Sequence, residues 1–103
     1  MNIFGIGTDI VSVNRIKNSL KNKNFINRIF NEKEVLKCRK NNNSINCYAK
    51  RFAAKEAFSK ALGTGISNGI NFNEIVVLNK KSGKPYISVI GQTKKILVKK
   101  FKK

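Results

Sequence analysis

Ile3, Phe4, Ile6 and Ile10, set around Gly5 and Gly7, form a short apolar run that predicts a buried strand ending near Asp9. The period then changes. From Val11 through Leu20 the apolar positions Val13, Ile16 and Leu20 recur at helical spacing while Arg15, Lys17 and Lys21 take the other faces, a basic amphipathic helix. Phe25, Ile26, Ile29 and Phe30 predict a second short helix, and Asn31 with Glu34 has the spacing of a capping box opening a third, through about Cys38. The Asn-rich stretch from Lys40 to Asn46 reads as a loop, with Ser44 as N-cap of the next helix. In that helix, the longest, Tyr48, Ala49, Phe52, Ala53, Glu56, Ala57, Lys60 and Ala61 repeat at three and four, and Gly63 closes it. Its small residues predict close packing against a sheet.

Gly63, Thr64, Gly65 and Gly69 make a glycine-rich turn, after which Ile75, Val76, Val77 and Leu78 predict a strand. Lys80–Lys84 is the hairpin turn, and Tyr86, Ile87, Val89 and Ile90 supply the return strand, with Pro85 tolerated at its start. Gln92 to Lys103, with Ile96, Leu97 and Phe101 among six lysines, predicts a final helix. The expected class is α+β, a long helix packed on a small, mainly antiparallel sheet, in a single domain over residues 1–103 without internal repeats.

Charge narrows the choice of partner. Eighteen lysines and four arginines against five acids give a formal charge of +17, so a partner should be acidic. The excess of Lys over Arg and the fifteen asparagines fit A/T-rich codons, which assigns roughly half of that charge to composition rather than to a nucleic-acid footprint. With no His and no Trp, Ser-His-Asp and Cys-His nucleophilic sites and imidazole-ligated metals are excluded. Cys38 and Cys47 are only two and form no CxxC, so neither a zinc site nor a disulfide framework is indicated, and a reducing compartment fits. The N-terminus has no basic n-region and no stretch nears the ~18 apolar residues of a membrane span, so a cytoplasmic protein is expected.

Each of the five carboxylates can be weighed. Glu32 and Glu34 fall in a helix's first turn and read as cap and dipole complement. Glu74 precedes a strand and reads as solvated. Asp9, at the end of an apolar strand, and Glu56, among Phe52, Ala53, Ala57 and Ala61, sit where a charge is costly unless compensated. Two such carboxylates could converge on Mg²⁺, with Lys60 one turn beyond Glu56 reaching a phosphate. On spacing alone a surface Glu–Lys pair, worth ~0.3–0.5 kcal/mol, is the favoured reading. Gly63-Thr64-Gly65 could present backbone N–H groups to an anion, although a plain C-cap is simpler.

The stretch Gly5-Ile6-Gly7-Thr8-Asp9-Ile10-Val11, then Arg15, and the run from Arg51 through Lys55-Glu56-Ala57-Phe58-Ser59-Lys60 to Gly63-Thr64-Gly65 closely resemble holo-[acyl-carrier-protein] synthase, the short bacterial phosphopantetheinyl transferases, as does Gly83-Lys84-Pro85-Tyr86. The resemblance implies transfer of 4′-phosphopantetheine from coenzyme A to a serine of apo acyl carrier protein, Mg²⁺-dependent and serving fatty acid biosynthesis. It implies Asp9 and Glu56 as metal ligands, and Lys60 as phosphate contact, so that Asp9, Glu56 and Lys60 form the catalytic set, with Glu56 or a metal-bound water as base. It further implies Arg51, Gly63, Gly65, Lys84 and Pro85 around the coenzyme, Arg15 and Arg28 docking the acidic carrier protein, and a homotrimer with Lys84 and Pro85 reaching a neighbour's site. It overrides the surface-pair reading of Glu56 and Lys60.

The sequence departs from that pattern in two places. Asn42 and Asn43 stand opposite a basic pair of the family, and where the family continues into a further strand carrying a His this chain stops in Lys94–Lys103, so the last part of the sheet is expected to be missing or replaced. A family member that binds coenzyme A without turnover is the alternative. A small basic nucleic-acid module is a further one, disfavoured because no aromatics interleave with the lysines.

Overall fold

A computed structural model of the chain describes residues 13–62 and 69–101. The predicted first strand with Asp9 and the turn with Gly63 and Gly65 lie outside the described residues. Helix α1 covers residues 13–19 and places Ile16 in the core. Helix α2 (Lys23–Ile29) is capped by Asn22, whose Oδ1 accepts the Asn24 N–H at 2.8 Å, and helix α3 (Glu32–Arg39) opens on the expected capping box. In that box Lys33 N–H donates to Asn31 Oδ1 and Asn31 N–H donates to Glu34 Oε1, both at 2.9 Å.

Helix α4 (Ser44–Leu62) already includes Ser44, the residue expected to cap it. Asn43 does the capping: its Oδ1 accepts from Asn46 N–H at 3.2 Å and its carbonyl from Cys47 N–H at 3.1 Å. A 3₁₀ turn (Phe72–Glu74) leads into β1 (Ile75–Asn79), which pairs antiparallel with β2 (Pro85–Val89) in the register Ile75↔Val89 through Asn79↔Pro85. The connecting turn uses Gly83 at φ 93°, where a side chain would be strained. Helix α5 (Gly91–Phe101) follows directly, and the sheet has two strands among the described residues. The α+β reading holds, and the helix expected from Gln92 onward is α5.

The core gathers Ile16, Ile29, Phe30, Tyr48, Ala49, Ile70, Phe72 and Ile75. Phe30 and Tyr48 meet edge to face with centroids 4.9 Å apart, and Phe52 lies 6.1 Å from Phe72, a geometry that suits the ring quadrupoles. One packing expectation needs correction. The stripe of α4 that is buried toward α3 and β1 is not the alanine face, since Ala57 and Ala61 are exposed. It is Cys47, Arg51, Lys55 and Ser59, four residues apart and all buried. The apolar pattern of the sequence could not reveal a polar seam, because its cations are satisfied by groups distant in sequence.

Candidate functional site

Four-residue spacing fixes the azimuth of α4, and with it the direction of every candidate residue that α4 carries. Lys55, with no exposed surface, spends all three ammonium hydrogens inside the fold. Its Nζ donates to Glu34 Oε1 at 2.7 Å, to the Phe72 carbonyl at 2.8 Å and to the Ile75 carbonyl, and lies 5.6 Å from the centroid of the Phe30 ring. Glu34 in turn accepts from the Val77 N–H at 3.0 Å through Oε2. Burial pulls the Lys55 ammonium below the usual lysine range, and the hydrogen bond and charge of Glu34 oppose that pull. The capping reading of Glu34 is correct but covers half of its work.

Glu56 follows on the adjacent face, half-buried, and Lys60 is exposed one turn on. Among the described residues these two do not pair with each other; the ion pair there is Lys55–Glu34. The carboxylate of Glu56 is therefore not consumed by a surface bridge, and as a hard oxygen donor it suits Mg²⁺. No group of three or more metal-ligating side chains occurs among the described residues. Asp9, Gly63 and Gly65 lie outside them, so of the expected catalytic set Glu56 and Lys60 are described.

Arg51, one turn before Lys55 on the buried stripe, opens onto a basic cleft of 460 Å³ shared with Lys37, Lys50, Lys80, Lys81 and Gly83. Its Nη2 donates to Asn79 Oδ1 at 2.9 Å, and Asn79 Nδ2 donates to the Gly83 carbonyl at 3.0 Å, which ties the guanidinium to the hairpin. Burial lowers its pKa from the ordinary arginine value, opposed by the charge of Glu34. Its Nε is buried with no hydrogen-bond partner among the described residues. Lys84 and Pro85 are exposed at the end of the same hairpin, and Arg15 and Arg28 are exposed on α1 and α2. A larger open cleft of 620 Å³, between α3 and the start of α5, holds none of the residues expected from the sequence.

Two expectations are overturned. Cys38 and Cys47 are joined in a disulfide, Cα to Cα 5.4 Å, because the Asn-rich loop folds the end of α3 against the start of α4. Glu74 is not merely solvated: its carboxylate accepts from Gln92 N–H at 3.1 Å, Thr93 N–H at 3.0 Å, Thr93 Oγ1 at 2.7 Å and Asn71 Nδ2 at 3.1 Å, capping α5. The Thr93 hydroxyl bond is the main cause holding its carboxyl below the ordinary range, with partial burial opposing. Lys55 carried no signal of its role in the sequence, being one lysine among eighteen.

A family model described as the 4′-phosphopantetheinyl transferase superfamily matches residues 5–103. The chain belongs to that superfamily. Within the 4′-phosphopantetheinyl transferases it is 54% identical over 102 residues to the holo-[acyl-carrier-protein] synthase of Pelagibacter ubique, covering 99% of this chain and 80% of that protein. It is 46% identical over 91 residues to the Sinorhizobium medicae protein of the same name, covering 86% of this chain and 66% of that protein. Among solved structures, the Neisseria meningitidis holo-[acyl-carrier-protein] synthase matches with a TM-score of 0.73 at 34% identity, covering 85% of this chain and 71% of that one. An acyl carrier protein synthase of Plasmodium yoelii with ADP bound matches with a TM-score of 0.68 at 38% identity, covering 85% and 69%.

Proposed function

We propose that the chain, acting as one domain, transfers the 4′-phosphopantetheine group of coenzyme A to a serine hydroxyl of an apo acyl carrier protein, releasing adenosine 3′,5′-bisphosphate. The observation that carries this reading is the division of α4. Lys55 is locked into the fold and Arg51 is tied to the hairpin at the wall of the basic cleft, while the next face carries Glu56 and Lys60, unpaired with each other. The names of the relatives support it, as does the nucleotide bound by the Plasmodium yoelii protein.

The serine oxygen attacks the β-phosphorus as the bond to the bridging oxygen breaks, so negative charge grows on the leaving phosphate. The Lys60 ammonium is the charge of opposite sign on that face of α4. Glu56, half-buried, takes the serine proton. Asp9 and Glu56 would hold Mg²⁺, which when bound neutralises charge on the pyrophosphate. Arg51, Gly63 and Gly65 would hold the coenzyme, its phosphates answering the cations of the basic cleft. In a homotrimer, Lys84 and Pro85 at the exposed hairpin end would complete a neighbour's site. Arg15 and Arg28 present cations for the acidic carrier protein. No helix among the described residues is long and apolar enough to cross a membrane, and a cytoplasmic place of action is part of the proposal.

The test is incubation of the chain with coenzyme A, Mg²⁺ and an apo carrier protein, followed by the mass of the carrier. A gain of one phosphopantetheine is expected. No gain at any Mg²⁺ concentration overturns the reading.

A further inference from the structure

We infer that Cys47, buried but set in the wall of the basic cleft, is the sulfur at which a small anionic thiol exchanges with the disulfide, and that the Cys38–Cys47 bond sets how Arg51 is presented to that cleft. The two sulfurs are not equivalent. Cys38, in the last turn of α3, is 0% exposed, whereas Cys47, in the first turn of α4, is 5% exposed and lines the cleft with Lys37, Lys50, Arg51, Lys80 and Lys81. Four-residue spacing lays the Arg51 guanidinium over Cys47, where Nη1 donates to the sulfur at 3.2 Å and to the Cys47 carbonyl at 3.4 Å. Cationic neighbours and a helix N-terminus both favour negative charge on that sulfur. The surrounding lysines draw a reagent that bears carboxylates, as glutathione does.

Access sets the direction of exchange: Cys38 has no exposed surface, so attack falls on the cleft-lining Cys47, whose stabilised thiolate then leaves readily in the second step. A glutathione thiol that has lost its proton to solvent enters the cleft and attacks Cys47 Sγ, the Cys38–Cys47 bond breaks, and Cys38 leaves as a thiolate that regains a proton from solvent. A second glutathione thiolate attacks the glutathione sulfur of the mixed disulfide, releasing oxidised glutathione and Cys47 as a thiolate. Two electrons pass from two glutathione molecules to the cysteine pair, and their two protons end on the cysteines or in solvent. Oxidation runs the same steps in reverse, with oxidised glutathione as the electron acceptor.

The consequence reaches Arg51 directly. With the bond intact, the first turn of α4 is pinned to α3 and the guanidinium is held between Cys47 and Asn79. Once the bond opens, the sulfur it shares can carry charge and compete with an incoming phosphate for the same N–H groups. The effect on coenzyme affinity rests on the function proposed above; the exchange chemistry does not.

The test uses the full chain equilibrated at a series of reduced-to-oxidised glutathione ratios, quenched by alkylation and weighed. Two alkylated cysteines should give way to none as oxidant rises. Cys38→Ser should trap glutathione on Cys47, and Cys47→Ser should leave Cys38 unmodified. Failure of the pair to close at any ratio, or equal modification of Cys38 in Cys47→Ser, overturns the exchange site. Calorimetry with adenosine 3′,5′-bisphosphate should then show affinities at least about fivefold apart between the oxidised and reduced forms, with the difference abolished in the double serine variant. Equal affinity in both forms overturns the link to Arg51. Absence of nucleotide binding in either form, with the thiol results as expected, counts against the transferase reading and leaves the exchange site standing.

Discussion

Lys55 Nζ stands 2.7 Å from Glu34 Oε1, with both side chains fully buried, and the pair joins α3 and α4 to the 3₁₀ turn and β1 through the Phe72 and Ile75 carbonyls and the Val77 N–H. Removing one partner strands the other charge in the core. Lys55→Met should therefore destabilise the chain by about 3–5 kcal/mol, read by urea denaturation. Changing Glu34 to Gln in the same chain, which removes the charge while keeping a side-chain oxygen for the Asn31 or Val77 N–H, should recover part of that loss. A double variant as unstable as the single one would show that the stranded charge is not the cause.

Legibility followed sequence distance. The capping box at Asn31 and Glu34 was readable because both partners lie within one helical turn, and the hairpin because two β-rich runs flank a five-residue turn. The Lys55 clamp was not, since its partners are 17 to 21 residues away and its type is the commonest in the chain. Glu74 looked solvated because Gln92 and Thr93 are brought to it only after β1 and β2 have reversed the chain. The disulfide matched no short motif; it depends on a loop geometry that composition does not encode. Of the three residues expected to form a catalytic set, Glu56 and Lys60 lie among the described residues, on a face of α4 that is not locked into the core.

Acid should weaken the start of α5 first. The Glu74 carboxyl is held below its ordinary value of 4.5, so its contribution is fully present above that pH and is lost as pH falls through the lower folded value. Thermal melting of Glu74→Gln should lie below that of the parent at pH 7, and the gap should narrow as the solution is acidified beneath pH 4.5.

Two glycines with positive φ should respond differently to alanine. At Gly83 (φ 93°) a Cβ meets nothing within 4 Å, so only backbone strain of about 1–2 kcal/mol is expected. At Gly91 (φ 63°) the Cβ would fall 2.0 Å from Glu74 Oε2, adding loss of the cap for a total of about 2–4 kcal/mol. Equal melting temperatures for Gly83→Ala and Gly91→Ala would contradict this.

The outward face of α4 should be dispensable for folding. Lys60→Ala and Glu56→Gln should each change stability by no more than about 0.5 kcal/mol, since neither side chain pairs with the other. Turnover, measured by carrier mass against time, should fall by about 10²–10³ for Lys60→Ala.

Reversal of the exposed charges at Arg15 or Arg28 to Glu should raise the KM for the carrier protein several-fold while leaving the KM for coenzyme A unchanged. The effect should shrink as salt is raised to about 0.5 M, beyond which exposed charges are screened within a few ångströms.

Because neighbouring positions 55 and 56 serve opposite masters, α4 has in effect a reading frame. One extra residue inserted between Phe52 and Lys55 would turn everything beyond it by about 100°, swinging Lys55 off its carbonyl cradle and aiming Glu56 or its neighbours elsewhere. Length variation among descendants of this sequence should consequently collect in the Asn41–Asn43 loop and the Lys80–Gly83 turn, and spare the interior of the long helix altogether.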